Sequence, residues 1–293
     1  FLMPGLYIGA TNVILDGPDP ATLLRTVERE KATKLFCPPT VWISLLRDPD
    51  FDTCDLSSLQ KGYYGASIMP VEVIKELQRR LPNMDLFNFY GQTEMSPLAL
   101  VLPPEDQVRK AGSAGRPALN VETMLVDSDD NPVPRGVQGE IVHRSPHATF
   151  GYFNDPGKTA EAFRNGWFHS GDIGVMDADG YITVVDRIKD MIKTGGENVA
   201  SREVEELLYQ HAAIAEVAVF GIPHPKWIEA VVAAVVPRRG HSIDTDELAA
   251  FCRRQLAGYK APKYFVVIDE LPKNASGKIL KRDLRTAFAR LAQ

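Results

Sequence analysis

"VVDRIKDMIKTGGEN" occupies residues 184–198, and its reading decides how the chain divides. Its first residues finish a strand that pairs back across Asp177-Ala178-Asp179-Gly180, a hairpin signal. Charge then alternates through Asp186, Arg187, Lys189 and Asp190, and the stretch closes on Gly195-Gly196, where the backbone is least restricted. Upstream the pattern is short strands and turns; downstream, helices and apolar strands alternate. The stretch therefore reads as a boundary, with residues 187–189 as a hinge. The plainer alternative is a linker followed by a turn.

Upstream, residues 111–186 form a β-rich part, in which "VETMLVD" and "GEIVHRS" flank a turn at Asp129-Asp130-Asn131-Pro132. Residues 1–110 alternate strand and helix. An apolar strand is predicted over 10–15, and Asp19-Pro20 caps a helix reaching about Lys31. A strand follows over 34–37, then a helix opened by Pro39 and a strand near 59–64. Pro70 precedes the helix "VEVIKELQRRL", and "MDLFNFYG" (84–91) reads as a buried strand. Such alternation implies a parallel sheet whose ligands sit beyond the C-terminal strand ends. Downstream, residues 190–293 predict an α+β domain: helices over 202–210, 245–256 and after Lys278, with strands over 217–220, 230–236 and 264–268.

Composition narrows the class. The chain has 293 residues, 44% hydrophobic and 24% charged, the balance of a globular protein with room for two domains. Cys37, Cys54 and Cys252 are an odd set without CxxC spacing, which predicts reduced thiols and a cytoplasmic protein. Residues 1–186 carry 16 Lys/Arg against 25 Asp/Glu, net −9, and residues 187–293 carry 17 against 13, net +4. Nucleic acid would need a stronger basic footprint. A small phosphorylated ligand suits this distribution, as does chance unevenness of a solvated surface. No apolar run approaches the roughly 20 residues of a membrane span; peripheral membrane association is left open. The opening "FLMPGLYIGA" lacks the basic lead and cleavage sequel of a signal peptide and reads as the middle of a buried segment, so the chain is expected to be part of a longer one.

Four stretches offer chemistry. "YGQTE" (90–94) follows a strand at the ligand edge: Tyr90 could stack on a base, Thr93 bond a phosphate oxygen, and Glu94 hold Mg²⁺. "WFHSGDIG" (167–174) puts Asp172 on a tight turn entering a strand, where a carboxylate can accept both ribose hydroxyls; for an isolated aspartate an Asx-turn is the plainer explanation. His169 reads as structural. In the boundary stretch, Arg187 could reach a nucleotide, and Gly195 and Gly196 could let a narrow ligand pass. In "PKNASGKILKR" (272–282), Lys278 follows glycine, but Pro272 stands where a P-loop needs glycine and Ile279 where it needs Ser/Thr. If Lys278 meets phosphate, it does so in another way.

Taken together and in this order, these stretches resemble the signature set of the adenylate-forming enzymes: acyl-CoA synthetases, firefly luciferase and peptide-synthetase adenylation domains. "FCPPT" (36–40), "GASIMP" (65–70), "GSAGRP" (112–117), "GEIVHRSPHATFGYFNDP" (139–156) and "SREVEELL" (201–208) add to it. The resemblance covers essentially the whole chain and is greatest to bacterial fatty-acyl-CoA synthetases. The family's lysine-ending phosphate loop belongs upstream of "FCPPT" and has no counterpart here. The resemblance thus implies an α/β fold: an incomplete large domain, with a parallel α/β part and a β-rich subdomain, then a small mobile α+β C-terminal domain. On this view the fragment is inactive alone.

The resemblance also implies chemistry. A carboxylic acid, expected to be a fatty acid, attacks the α-phosphate of Mg·ATP to give an acyl-adenylate and pyrophosphate, and the CoA thiol then displaces AMP. It places Tyr90 on adenine against the Gly65–Ala66 backbone, Thr93 on phosphate, Glu94 on Mg²⁺, and Asp172 on the ribose with Arg187 beside it. Lys189 falls at the hinge, Lys193, Gly195 and Gly196 on the CoA path, and Lys278 is the catalytic lysine. Apolar Phe87, Met95 and Leu98 favour an acyl chain. Two other readings stay open: another adenylate-forming ligase, loading an aryl acid or a carrier protein, and a catalytically inactive nucleotide-binding or interaction module.

Overall fold

The structure, a computed structural model, describes residues 2–67, 69–273 and 279–292; Lys278 lies outside the described residues. The chain divides into two compact units, residues 1–170 with 174–184, and residues 171–173 with 185–293.

The first unit begins with helix α1 (Leu2–Tyr7), which buries none of its residues. The buried segment expected there is thus an exposed helix, and residues 10–15 are not a strand. α1 is under two turns long with Pro4 and Gly5 inside it, too short to present a packing stripe. Helix α2 (Pro20–Glu30) starts as its sequence dictates, Asp19 accepting the Thr22 N–H at 2.9 Å with Pro20 in the first turn. Strand β1 (Lys34–Phe36), helix α3 (Pro39–Arg47), strand β2 (Lys61–Gly65), helix α4 (Val71–Arg80) and strand β3 (Asp85–Tyr90) continue the alternation. β1, β2 and β3 pair in parallel, while β4 (Leu100–Leu102) and β5 (Arg116–Pro117) extend the sheet antiparallel. The sheet is therefore mixed. The short link from Tyr90 to Leu100 can only reverse the chain, because a parallel return needs a crossover of a dozen or more residues. α2, α3 and α4 bury Leu24, Trp42, Leu45, Ile74 and Leu77 in one core with Tyr64 and Leu86 of the strands.

The β-rich part holds β6 (Glu122–Val126), β7 (Gln138–Arg144), helix α5 (Pro156–Ala162), β8 (Phe163–Arg164), β9 (Trp167–Met176) and β10 (Ile182–Arg187), with sheet order β10-β9-β7-β6 and β8 on β9.

The second unit is a sheet with helices. β11 (Ile192–Thr194) and β12 (Glu197–Val199) form a hairpin, followed by α6 (Ser201–Leu208), β13 (Ile214–His224), β14 (Ile228–Pro237), α7 (Thr245–Gln255), β15 (Tyr264–Val267) and α8 (Lys281–Ala287). Its strands run in the order β12-β11-β14-β13, with β15 parallel to β14. Both faces of the long β13–β14 pair are covered, with Val217, Val219, Val231 and Val235 in one core and Phe220, Ile222 and Val232 in the other. That two-sided burial explains the near-continuous apolar runs of these strands.

Candidate active site

In the first unit, five of the expected residues gather at the C-terminal ends of β2 and β3. Gly65 ends β2 opposite Phe89 of β3, and a Cβ there would lie 2.4 Å from the Phe89 carbonyl oxygen. Only glycine lets the two strands pair this closely. Ala66 follows at φ +68°, a left-handed conformation that a residue with a side chain holds only when its surroundings impose it. Tyr90 ends β3, its hydroxyl accepting from Gln92 Nε2 at 2.7 Å and its ring 6.0 Å from that of His143. Gly91 makes the turn behind it, where a Cβ would fall 1.9 Å from the Pro97 carbonyl oxygen. The chain then winds through one short helical turn, Thr93–Met95, and leaves on Ser96 at φ +56°. Thr93 is exposed and Glu94 half-buried. Tyr152 donates its hydroxyl to Glu94 Oε1 at 2.7 Å, and burial, reinforced by that carboxylate, pushes the Tyr152 phenol up to about 12.

A hydroxyl and a single carboxylate beside an aromatic ring and open backbone can hold a nucleotide with its metal. Among the described residues no group of three His, Cys, Asp or Glu could cage a metal ion. One carboxylate is nonetheless the donor set that fits Mg²⁺ arriving on phosphates, since that ion keeps its waters and takes few protein ligands.

In the second unit, Asp172 is not on a turn, as its sequence suggests, but inside β9. Gly171 just before it takes φ +70° and keeps the strand running. The Asp172 side chain is 8% exposed, and Arg187 Nε donates to its Oδ1 at 2.9 Å. Neighbouring Asp186 accepts from the Ser201 hydroxyl at 2.8 Å and from backbone N–H groups at the start of α6. Lys189 is exposed in the turn between β10 and β11.

Lys193, Gly195 and Gly196 share one hairpin. The two glycines, at φ +61° and +88°, make its two-residue turn, so this stretch is a folded corner rather than a linker. Residues that the sequence reading passed over lie beside it. The Gly195 N–H donates to the Trp227 carbonyl at 2.9 Å. The Trp227 ring stacks on His224 at 4.3 Å, with Lys263 Nζ at 5.3 Å and Lys226 Nζ at 5.6 Å from its centroid. A flat aromatic platform ringed by ammonium groups suits a flat, anionic group. The signal was "HPKW" (224–227), a turn carrying both rings and a cation.

One further expectation changes. Met95 is fully buried with Ala99, Val121 and Phe168, so it is core and not the lining of an acid pocket. Phe87 instead lies in a half-buried aromatic row with Tyr63 and Phe89. His169 has its side chain 4% exposed with Nδ1 2.9 Å from Glu140 Oε2, a structural position.

Residues 1–153 match the AMP-binding enzyme family and residues 203–278 its C-terminal domain. The chain is 42% identical over 286 residues to a feruloyl-CoA synthase of Amycolatopsis, covering 98% of this chain and 58% of that protein. It is 40% identical over 282 residues to a long-chain-fatty-acid–CoA ligase of Escherichia coli, covering 96% and 50%. It superposes on the o-succinylbenzoate CoA synthetase of Bacillus subtilis in complex with its acyl-adenylate intermediate with TM-score 0.86 and 31% identity, covering 97% of this chain and 57% of that one. ATP-bound MatB of Rhodopseudomonas palustris gives 0.89 and 30%, covering 99% and 57%. The chain thus spans about half the length of the relatives it matches, which include acyl- and aryl-CoA ligases, and it belongs to the AMP-binding, adenylate-forming enzyme family.

Proposed function

We propose that this chain is the nucleotide- and thiol-handling part of an acid–CoA ligase. The enzyme would couple ATP cleavage to AMP and pyrophosphate with thioester formation through an acyl-adenylate. The observation that carries the reading is the cluster at the ends of β2 and β3, where Gly65, Ala66, Tyr90, Thr93 and Glu94 meet. Tyr90 offers a face for adenine against the Gly65–Ala66 backbone, Thr93 a donor for phosphate oxygen, and Glu94 a charge for Mg²⁺. Mg²⁺, when bound with ATP, supplies charge neutralisation at the phosphates. Asp172 is oriented for ribose hydroxyls by Arg187, and Lys189 serves as the hinge.

Transfer of this kind depends on positioning and fixed charge rather than on covalent catalysis. Lys278 is assigned the charge that builds at the α-phosphate as pyrophosphate leaves. Lys193 and the Gly195-Gly196 corner are assigned to the pantetheine arm of CoA. The Trp227–His224 stack with Lys226 and Lys263 fits its adenine-phosphate end. The acid is one with an apolar body. A fatty acid and an aryl acid both satisfy that, and relatives named for each are 40% and 42% identical to the chain.

Pyrophosphate release by the full-length enzyme over a panel of fatty and aryl acids, with and without CoA, tests the reading. Release that requires one acid class, followed by thioester when CoA is present, is expected. An enzyme that binds AMP but releases no pyrophosphate with any acid of the panel would instead be an inert nucleotide-binding module.

A further inference from the structure

The loop from Ser145 to Asp155, between β7 and α5, is tied to the turn carrying Glu94 at three points. The Thr149 N–H donates to the Glu94 carbonyl at 2.8 Å. The Ser96 hydroxyl donates to the His147 carbonyl at 2.7 Å. The Tyr152 hydroxyl donates to Glu94 Oε1 at 2.7 Å. Only the last of these reaches a side chain with chemistry to perform.

The far end of the loop is built to deliver that hydroxyl. The Tyr152 N–H donates to Thr159 Oγ1 at 2.9 Å, and Thr159 Oγ1 donates to the Asp155 carbonyl at 2.8 Å. Asp155 in turn caps α5 by accepting the Lys158 N–H. Gly151 stands at φ +149°, where a Cβ would fall 2.6 Å from the Thr159 side chain, so the residue before Tyr152 must be small. The tyrosine thus hangs from the first turn of α5 with its phenol on Glu94.

A carboxylate held through one oxygen presents the other in a set direction, and hydrogen bonds of this kind orient metal-binding carboxylates. A neutral phenol does so without adding a cation that would compete for the ligand. We propose that Tyr152 is a positioning residue, orienting Glu94 toward the divalent cation that accompanies the nucleotide. This rests on the reading of Glu94 as the metal carboxylate.

The test is the Mg²⁺ concentration that half-saturates ATP binding by the full-length enzyme, read by titration calorimetry, with Mn²⁺ binding followed by electron paramagnetic resonance. Tyr152→Phe should raise that concentration about tenfold, the lower end of what such supporting groups contribute, and leave metal-free ATP affinity unchanged. Glu94→Gln should raise it at least as much. If Glu94→Gln raises it while Tyr152→Phe leaves it unchanged or lowers it, the role of Tyr152 is overturned and the site reading stands. If Glu94→Gln leaves it unchanged, Glu94 is not the metal carboxylate and both fall.

Discussion

Asp172 shows how much one residue's meaning depends on its surroundings. As a letter between Gly171 and Ile173 it is an Asx-turn or a ribose acceptor. In the fold it is a strand residue with its side chain 8% exposed, accepting from an Arg187 that is itself 33% exposed. Such a pair fixes the direction of the carboxylate, as the proposed ribose contact requires. Asp172→Ala should weaken AMP binding at least tenfold, since charge-assisted hydrogen bonds contribute roughly 1.5–3 kcal/mol each. Partly exposed Arg187 can rehydrate, so the thermal midpoint should shift little. Calorimetry with AMP decides the matter, and an unchanged affinity would make the pair purely structural. Tyr90, Thr93 and Glu94 were legible because a polar cluster follows an apolar strand. Trp227 was not, because tryptophan at a turn looks like core until His224 and two lysines are seen around it.

At the scale of elements, α8 and α6 of the second unit are joined by a buried pair. Lys281 Nζ lies 2.8 Å from Glu205 Oε1, the side chains 16% and 17% exposed, and also donates to the Ser201 hydroxyl at 2.6 Å. Glu205 accepts the Val219 N–H of β13 as well. Glu205→Ala leaves a largely buried ammonium without its counter-charge and should cost about 3–5 kcal/mol of stability, read as the denaturation midpoint. Burial outweighs the attraction of Lys281 and raises the Glu205 carboxyl above its usual value. The folded chain then holds this proton more tightly than the unfolded one. Stability should therefore fall as pH rises from the ordinary carboxylate range through the raised folded value, and Glu205→Gln should flatten that slope. A slope unaltered in Glu205→Gln would assign it to other groups. Helices and strands were legible here through apolar period and caps. That Gly195-Gly196 turns a hairpin was not legible, because its strands are only three residues long, too short for a period-2 signal.

At the scale of the whole molecule, the reading of residues 187–189 as a hinge and of Lys278 as the catalytic lysine makes one joint prediction. In the full-length enzyme, Lys278→Ala should lower adenylate formation about 10²–10³-fold, the effect of losing one well-placed electrostatic group. Conversion of supplied acyl-adenylate and CoA to thioester should persist. Equal loss of both half-reactions in a folded variant would end the assignment. Limited proteolysis should cut first between about residues 186 and 196, and resistance there would argue against a hinge. The sequence by itself showed most of the longer helices and strands, because caps, apolar period and glycine-bearing turns are local, and the order of its motifs resembled the family to which the chain belongs. Only the tertiary structure decided that the first sheet turns antiparallel after β3, that Asp172 lies within a strand against Arg187, that Met95 is core, and that Tyr152 reaches back to Glu94. Those depend on which distant strands pair and which side chains meet across a loop, and such contacts leave no period along the chain.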